Sequence, residues 1–171
     1  MRGIEARRRD TAPLLSKTQM SILEILAKAS DANSFGTVLP LVERFISSKF
    51  RDLRDGRVPL EDLVMRQRLS RELDAYRTPS QAARAAIQLA EIGKTMRAGQ
   101  SVRFIITRGK PGVHAWDLPT EVDRKTIDVA RYQVLLQRAI RTVLDAVIPK
   151  EKPPDIFDFP VFVSDDSLMV C

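Results

Sequence analysis

Residues 63–112 read LVMRQRLSRELDAYRTPSQAARAAIQLAEIGKTMRAGQSVRFIITRGKPG, and this stretch decides the fold and the chemistry that the sequence predicts. It contains ten basic and three acidic residues, a net charge of +7 against +6 for the whole chain. A basic surface of this density favours a polyanion such as nucleic acid as the partner. The order of secondary structure elements within the stretch indicates where that charge lies.

The middle of the stretch predicts a capped, alanine-rich helix over residues 80–92. Thr78 followed by Pro79 and Gln81 has the pattern of a capping box, with Thr78 as N-cap and Pro79 at the first helical position. Gly93 is expected to end the helix. Since alanine side chains form a thin layer, we expect this helix to pack close to the element beneath it.

Short strands are predicted on both sides of this helix. Residues 64–69 alternate apolar with basic or polar side chains, which suits a half-buried strand. Residues 97–100 form a predicted turn into a second strand over 102–107, and a turn rich in glycine leads to a third over 113–116. The last two strands form a hairpin. A single turn is expected at 59–63.

The N-terminal third predicts a helix and a loop. Asp10 or Thr11 followed by Pro13 has the pattern of a helix start, and the apolar residues behind them predict a helix over 13–29. Residues 30–36 are rich in Asp, Asn, Ser and Gly and predict a loop.

Two amphipathic helices complete the prediction. The first spans 38–53 and has Pro40 in its first turn, and Gly56 is expected to stop it as the C′ residue. The second spans 129–148, begins at Asp128 and is the most regular stripe in the chain. The predicted fold class is therefore mainly α with a small β element (α+β). At 171 residues one domain is the default, and a division into two small lobes is the alternative.

Several classes of protein are disfavoured by the residues present. The only cysteine is Cys171, so no disulfide framework or zinc site is expected, and a reducing compartment is favoured. The only histidine is His114, and no P-loop or GxGxxG motif occurs. No apolar run reaches membrane-spanning length, so no membrane partner is expected. Adjacent Asp165 and Asp166 would point to opposite faces of a strand, so no two-metal carboxylate site is expected.

The order of motifs resembles the C-terminal part of the family B (alpha-like) DNA polymerases, where the palm ends and the thumb domain follows. The resemblance covers about residues 2–148. The segments that carry it are RGIEARRRDTAP at 2–13, LEDLVMRQRLSRELDAYR at 60–77, GKTMRAGQSVRFIITRGKPGV at 93–113 and the closing helix at 128–148. It is similar to eukaryotic delta/zeta-type and to archaeal members, and the motifs do not choose between them.

The resemblance implies an end of the palm over 1–12, a thumb-like helical domain with a short antiparallel sheet over 13–148, and a tail over 149–171. In the family the thumb holds double-stranded primer–template DNA through its sugar-phosphate backbone, in replication or repair. Carried over residue by residue, the implied DNA-binding residues are Arg8, Arg9, Arg71, Tyr76, Arg77, Arg97 and Arg108. Where archaeal members have Pro-His, this chain has Gln81-Ala82.

The resemblance also implies what this chain lacks. The family's catalytic carboxylates, and the palm where its Mg²⁺ binds, precede the matched part. We therefore expect no catalytic residue, metal site or cofactor in this chain, and a fragment whose further partner is the missing palm and fingers region. A nuclear location is implied if the source is eukaryotic and a cytoplasmic one otherwise. The alternative function is an inert helical module that binds an acidic protein, and a complete small enzyme ranks last.

Overall fold

The computed structural model describes residues 10–29 and 32–147 as five α-helices, a three-stranded sheet and two 3-10 turns. The predicted α+β class is therefore confirmed. The helices are α1 (Pro13–Leu26), α2 (Ala32–Arg54), α3 (Leu60–Leu63), α4 (Gln81–Glu91) and α5 (Val129–Val147). The strands are β1 (Met65–Arg68), β2 (Ser101–Ile106) and β3 (Val113–Ala115), and the 3-10 turns are Leu73–Ala75 and Arg124–Thr126.

Helices α1, α2 and α5 pack against one another as a helical layer. The predicted stripe of α2 is confirmed, since it buries Val38, Val42, Ile46, Phe50 and Leu53. Spacing of this kind places side chains on one helical face. Between α1 and α5, the buried Gln19 side chain donates a 2.7 Å hydrogen bond to the Ala139 carbonyl oxygen.

The sheet is an antiparallel meander in the order β1-β2-β3. Helix α4 packs on it and buries four alanines and Leu89, which confirms the close packing expected of an alanine-rich helix. The Gln88 amide donates to the Val113 carbonyl (2.9 Å) and accepts from the Ala115 N–H (2.8 Å). This side chain therefore satisfies two backbone groups of β3.

The cap residue of α1 and the start of α2 differ from the prediction. The N-cap of α1 is Ala12, with ψ of 137°, rather than Asp10 or Thr11. A residue before proline is driven to this extended conformation, and Pro13 then occupies the first helical position. Helix α2 begins at Ala32, so described residues 32–36 are helical rather than a loop, and Pro40 lies inside the helix.

The early start of α2 has a packing reason. Phe35 packs against the core one turn before Val38 and so extends the apolar stripe towards the N-terminus. Burial of this stripe overrides the weak helix propensity of the Asn, Ser and Gly residues beside it. The predicted end is confirmed: Gly56 has φ of +68°, and the Arg57 N–H bonds the Asp52 carbonyl at 2.8 Å.

Candidate nucleic-acid interface

The turn after β1 is organised around Tyr76. Its hydroxyl oxygen accepts hydrogen bonds from the backbone N–H groups of Ser70 (3.1 Å) and Arg71 (3.3 Å) and lies 3.0 Å from the Ser70 hydroxyl oxygen. The hydrogen bond with the Ser70 hydroxyl is the main cause that lowers the pKa of Tyr76. Two of the predicted site residues, Arg71 and Tyr76, are thus in direct contact.

The turn at residues 97–100 lies beside this one and carries Arg97. Leu69 exchanges backbone hydrogen bonds with Gly99 (2.7 Å) and Gln100 (2.8 Å). In addition, the Ala98 N–H donates to the Glu72 carboxylate at 3.1 Å. The fold therefore brings Arg71 and Arg97 to neighbouring turns at one end of the β1–β2 pair.

The predicted helix start near Arg77 is wrong by two residues. The N-cap of α4 is Ser80, whose hydroxyl oxygen accepts from the Ala83 N–H at 3.2 Å, so Thr78 lies outside the helix. A capping box would need Glu or Gln at position 83, and alanine occupies it. Arg77 is exposed but precedes the N-cap by three residues, so it is not adjacent to the free N–H groups of α4.

Arg108 lies at the opposite end of β2. Its backbone N–H donates to the Thr126 carbonyl oxygen at 2.7 Å, and its side chain is exposed. Strand β2 has six residues, so about 17 Å separates its two ends. Arg108 therefore does not join Arg71 and Arg97. The two remaining predicted residues, Arg8 and Arg9, lie outside the described residues.

Most of these arginines carry charge that the described structure does not neutralise. Arg71, Arg77, Arg97 and Arg108 are exposed and have no ion-pair partner within residues 10–29 and 32–147. Some other basic residues do form ion pairs, such as Lys17 with Asp62 at 2.6 Å. Exposed guanidinium groups without carboxylate partners are suited to phosphate oxygens, which they contact in a bidentate manner.

Sequence reasoning did not assign three further arginines, which lie on the face of the sheet opposite its buried side. Arg66, Arg68 and Arg103 are exposed, while the adjacent pair of Met65 and Phe104 is buried. The alternation of residues 64–69 already indicated that Arg66 and Arg68 share a face. Only the strand register adds Arg103 to them.

No described arrangement resembles a catalytic centre. The His114 ring Nε2 lies 3.1 Å from the Thr120 carbonyl oxygen and so belongs to a loop contact. Within the described ranges, no group of three or more His, Cys, Asp or Glu side chains is placed to hold a metal ion. These residues therefore do not fit the Mg²⁺ that the resemblance implies for the family's palm. A cleft of about 540 Å³ between α1, α2 and α3 is lined by both members of the Lys17–Asp62 pair.

The described residues include five α-helices. Not one of them combines the length and the apolar composition that crossing a membrane demands. This finding concerns the helices between residues 10 and 147 only.

Comparisons with known proteins agree with one another. The sequence model of DNA polymerase family B matches residues 1–149. A DNA polymerase of Methanocaldococcus jannaschii is 28% identical over 133 residues, which are 77% of this chain and 8% of the relative. DNA polymerase 1 of Sulfolobus acidocaldarius is 26% identical over 147 residues, 85% of this chain and 16% of the relative.

The fold is also similar to a solved structure. The family B DNA polymerase of the hyperthermophilic archaeon Pyrobaculum calidifontis superimposes with a TM-score of 0.64 at 21% identity. The match covers 84% of this chain and 19% of that polymerase. The chain thus spans less than a fifth of the length of each of these relatives.

Proposed function

The chain belongs to DNA polymerase family B, and on that premise we propose that residues 13–148 act as a thumb that holds primer–template duplex through its sugar-phosphate backbone. The observation that carries the proposal is the set of unneutralised guanidinium groups on neighbouring turns, at Arg71 and Arg97. Contacts of this kind position a duplex without reading its bases. The partner is therefore double-stranded DNA of any sequence.

The geometry adds a role for Tyr76 in this proposal. Its hydroxyl holds the backbone N–H groups of Ser70 and Arg71 and so fixes the turn from which the Arg71 side chain projects. An arginine on an ordered turn loses less conformational freedom when it binds a phosphate. We therefore assign Tyr76 as a positioning residue, and Arg71 and Arg97 as the phosphate-binding residues.

Primer extension is proposed to require residues other than those described. The described part brings no cluster of carboxylates together, whereas two-metal nucleotidyl transfer needs carboxylates that converge on two cations. The pure protein, supplied with primer–template, nucleotides and magnesium, is expected to add no nucleotide to the primer. Any incorporation that copurifies with the protein on a final sizing column would overturn this part of the proposal.

A fluorescence titration with labelled primer–template duplex tests the binding. We expect binding that is independent of sequence and whose log K falls linearly with log salt, by about 0.9 per neutralised phosphate. Arg71→Gln/Arg97→Gln should reduce the slope by about 1.8 if each arginine contacts one phosphate. The matched control is Arg44→Gln/Arg51→Gln, which removes the same charge from the exposed side of α2.

Two outcomes would overturn the proposal. One is the absence of binding at low salt. The other is a double variant of the turns that behaves like the α2 control, because binding would then depend on net charge alone. Polyglutamate serves as a competitor for the protein-interaction alternative. Polyglutamate that binds more tightly than duplex DNA of equal charge would favour that alternative.

A further inference from the structure

The pairing of β1 with β2 creates a row of arginines on the exposed face of the sheet. Arg66 lies directly opposite Arg103, and Arg68 lies directly opposite Ser101. Directly opposed residues of antiparallel strands share a face, with Cβ atoms about 5 Å apart. Arg66 and Arg68 are two residues apart on one strand, so their Cα atoms are about 6.7 Å apart. Three guanidinium groups therefore emerge from a small area.

This arrangement is electrostatically unfavourable by itself. Like charges directly opposite each other destabilise a strand pair, and Arg66 and Arg103 are such a pair. Asp117 offsets part of the cost: both of its carboxylate oxygens contact the Arg103 guanidinium, with the Nε–Oδ2 distance at 3.3 Å. Arg66 and Arg68 have no ion-pair partner among the residues described. An anion bound at this face would relieve the repulsion.

The row is continuous with the turn that carries Arg97. Arg68 is followed by Leu69, which exchanges backbone hydrogen bonds with Gly99 and Gln100. Ser101, opposite Arg68, directly follows that turn in the chain. A single extended polyanion would therefore contact the turns and the exposed sheet face in succession.

We propose that the exposed face of the sheet, through Arg66, Arg68 and Arg103, binds the phosphate backbone of duplex nucleic acid, and that Asp117 competes with the phosphates for Arg103. The proposal rests on the proposed function and extends the interface beyond Arg71 and Arg97. Guanidinium groups are the side chains best suited to this role because they form two parallel hydrogen bonds to a phosphate. The Asp117 carboxylate already holds Arg103 by such a pair of contacts.

Two variants test the two halves of this proposal by duplex titration against salt. Arg66→Gln/Arg68→Gln should lower the slope of log K against log salt by about 1.8, for two lost phosphate contacts. Its control is Arg44→Gln/Arg51→Gln on α2. Asp117→Asn should raise the slope by about 0.9, because Arg103 becomes free to contact a phosphate.

The Asp117 variant has its own matched control. Asp62→Asn removes the same negative charge from the helical layer, where Asp62 pairs with Lys17. A general effect of net charge would strengthen DNA binding equally in both variants, whereas local competition predicts a larger gain for Asp117→Asn. Thermal unfolding of each variant verifies that the fold is retained before affinities are compared.

The outcomes separate this inference from the proposed function. If the unmodified protein does not bind duplex, both are overturned. If it binds and Arg71→Gln/Arg97→Gln lowers the slope, while Arg66→Gln/Arg68→Gln matches the α2 control, only the sheet-face inference is overturned. If the sheet-face variant loses affinity for polyglutamate but not for duplex, the face binds an acidic protein and the inference is again overturned.

Discussion

The hydroxyl of Tyr132 donates a 2.6 Å hydrogen bond to the carbonyl oxygen of Leu63, which lies 69 residues earlier in the chain. The same hydroxyl accepts from the Ile106 N–H at 3.0 Å. One side chain of α5 is thereby bonded to the end of α3 and to the end of β2. Tyr132 is fully buried. The helical layer and the sheet are therefore joined by a polar contact that excludes water.

Removing this hydroxyl should destabilise the protein substantially. Tyr132→Phe leaves a buried carbonyl and a buried N–H without a partner, and each costs about 1–3 kcal/mol. We expect the free energy of unfolding in urea to fall by about 2–6 kcal/mol. Tyr76→Phe is the control, since the Tyr76 hydroxyl contacts exposed groups. Equal losses in the two variants would contradict the bridging role of Tyr132.

The two tyrosines should ionise on opposite sides of the ordinary value of 10.0. Burial is the main cause that raises the pKa of Tyr132, and the Asp128 charge adds to it. The hydrogen bond from Ser70 lowers the pKa of Tyr76. Since the chain has two tyrosines, tyrosinate absorbance against pH should show two separate steps. Tyr76→Phe should remove the lower step and Tyr132→Phe the upper.

The raised pKa of Tyr132 also makes this group's contribution to stability decline at alkaline pH. Above about pH 10 the tyrosine of the unfolded chain loses its proton while Tyr132 of the folded protein keeps it. The unfolded state then binds fewer protons, so the contribution of this group is complete below that pH and declines as the pH rises further. Urea unfolding of Tyr132→Phe across this range should lack that decline. An identical decline in the variant would contradict the assignment.

The start of α4 is decided by Ser80 rather than Thr78. The Ser80 hydroxyl accepts from the Ala83 N–H, so Ser80→Ala should reduce the free energy of unfolding by about 1 kcal/mol. Thr78 is exposed and lies before the N-cap. Thr78→Ala should therefore change the stability by less than about 0.5 kcal/mol. A larger loss of stability in Thr78→Ala than in Ser80→Ala would instead support Thr78 as the N-cap.

Two glycines should respond in opposite directions to alanine substitution. Gly36 lies inside α2, has no positive φ and has open space where a Cβ would stand, so Gly36→Ala should stabilise by about 0.4–1 kcal/mol. Gly93 has the same open space but a φ of +81°. Gly93→Ala should destabilise by about 1–2 kcal/mol because of its backbone conformation alone. Thermal or urea unfolding measures both, and a shared sign would contradict the prediction.

The helices were predictable because their signals are local. The stripe of α2, the glycine at its end and the Asp128 cap of α5 each involve residues within about two turns of one another. The Asp128 carboxylate indeed accepts from the Arg131 N–H at 2.9 Å. The start of α4 was not predictable in the same way. Thr78 and Ser80 are both good N-cap residues, and the local capping-box pattern favours Thr78, whereas the helix uses Ser80.

The contacts that assemble the candidate interface depend on residues far apart in the chain. The opposition of Arg66 and Arg103 requires the strand register, and the ion pair of Arg103 with Asp117 requires the turn after β3. A local pattern carries no register between strands, so these relations appear only in the structure. The separation of Arg108 from Arg97 by the length of β2 is of the same kind.

A salt titration with duplex DNA should distinguish a residue that contacts phosphate from a residue that only orders the turn. Arg71→Gln removes a phosphate contact and should lower the slope of log K against log salt by about 0.9. Tyr76→Phe removes no charge, so its slope should stay that of the unmodified protein. Its affinity should nevertheless fall by about fivefold at every salt concentration, as expected for the loss of roughly 1 kcal/mol of hydrogen bonding that orders the turn.

Arg44→Gln is the control for both variants, since Arg44 is exposed on α2 and lies outside the turns. A Tyr76→Phe variant with unchanged affinity would mean that the turn is ordered without the hydroxyl, and Tyr76 would lose its positioning role. If Tyr76→Phe instead reduced the slope of log K against log salt, the turn would lose a phosphate contact when it loosens, because phenylalanine leaves the formal charge unchanged. A positioning role for Tyr76 is supported if the plot of log K against log salt for Tyr76→Phe runs parallel to, and below, that of the unmodified protein. A phosphate-binding role for Arg71 is supported if the plot for Arg71→Gln has a lower slope.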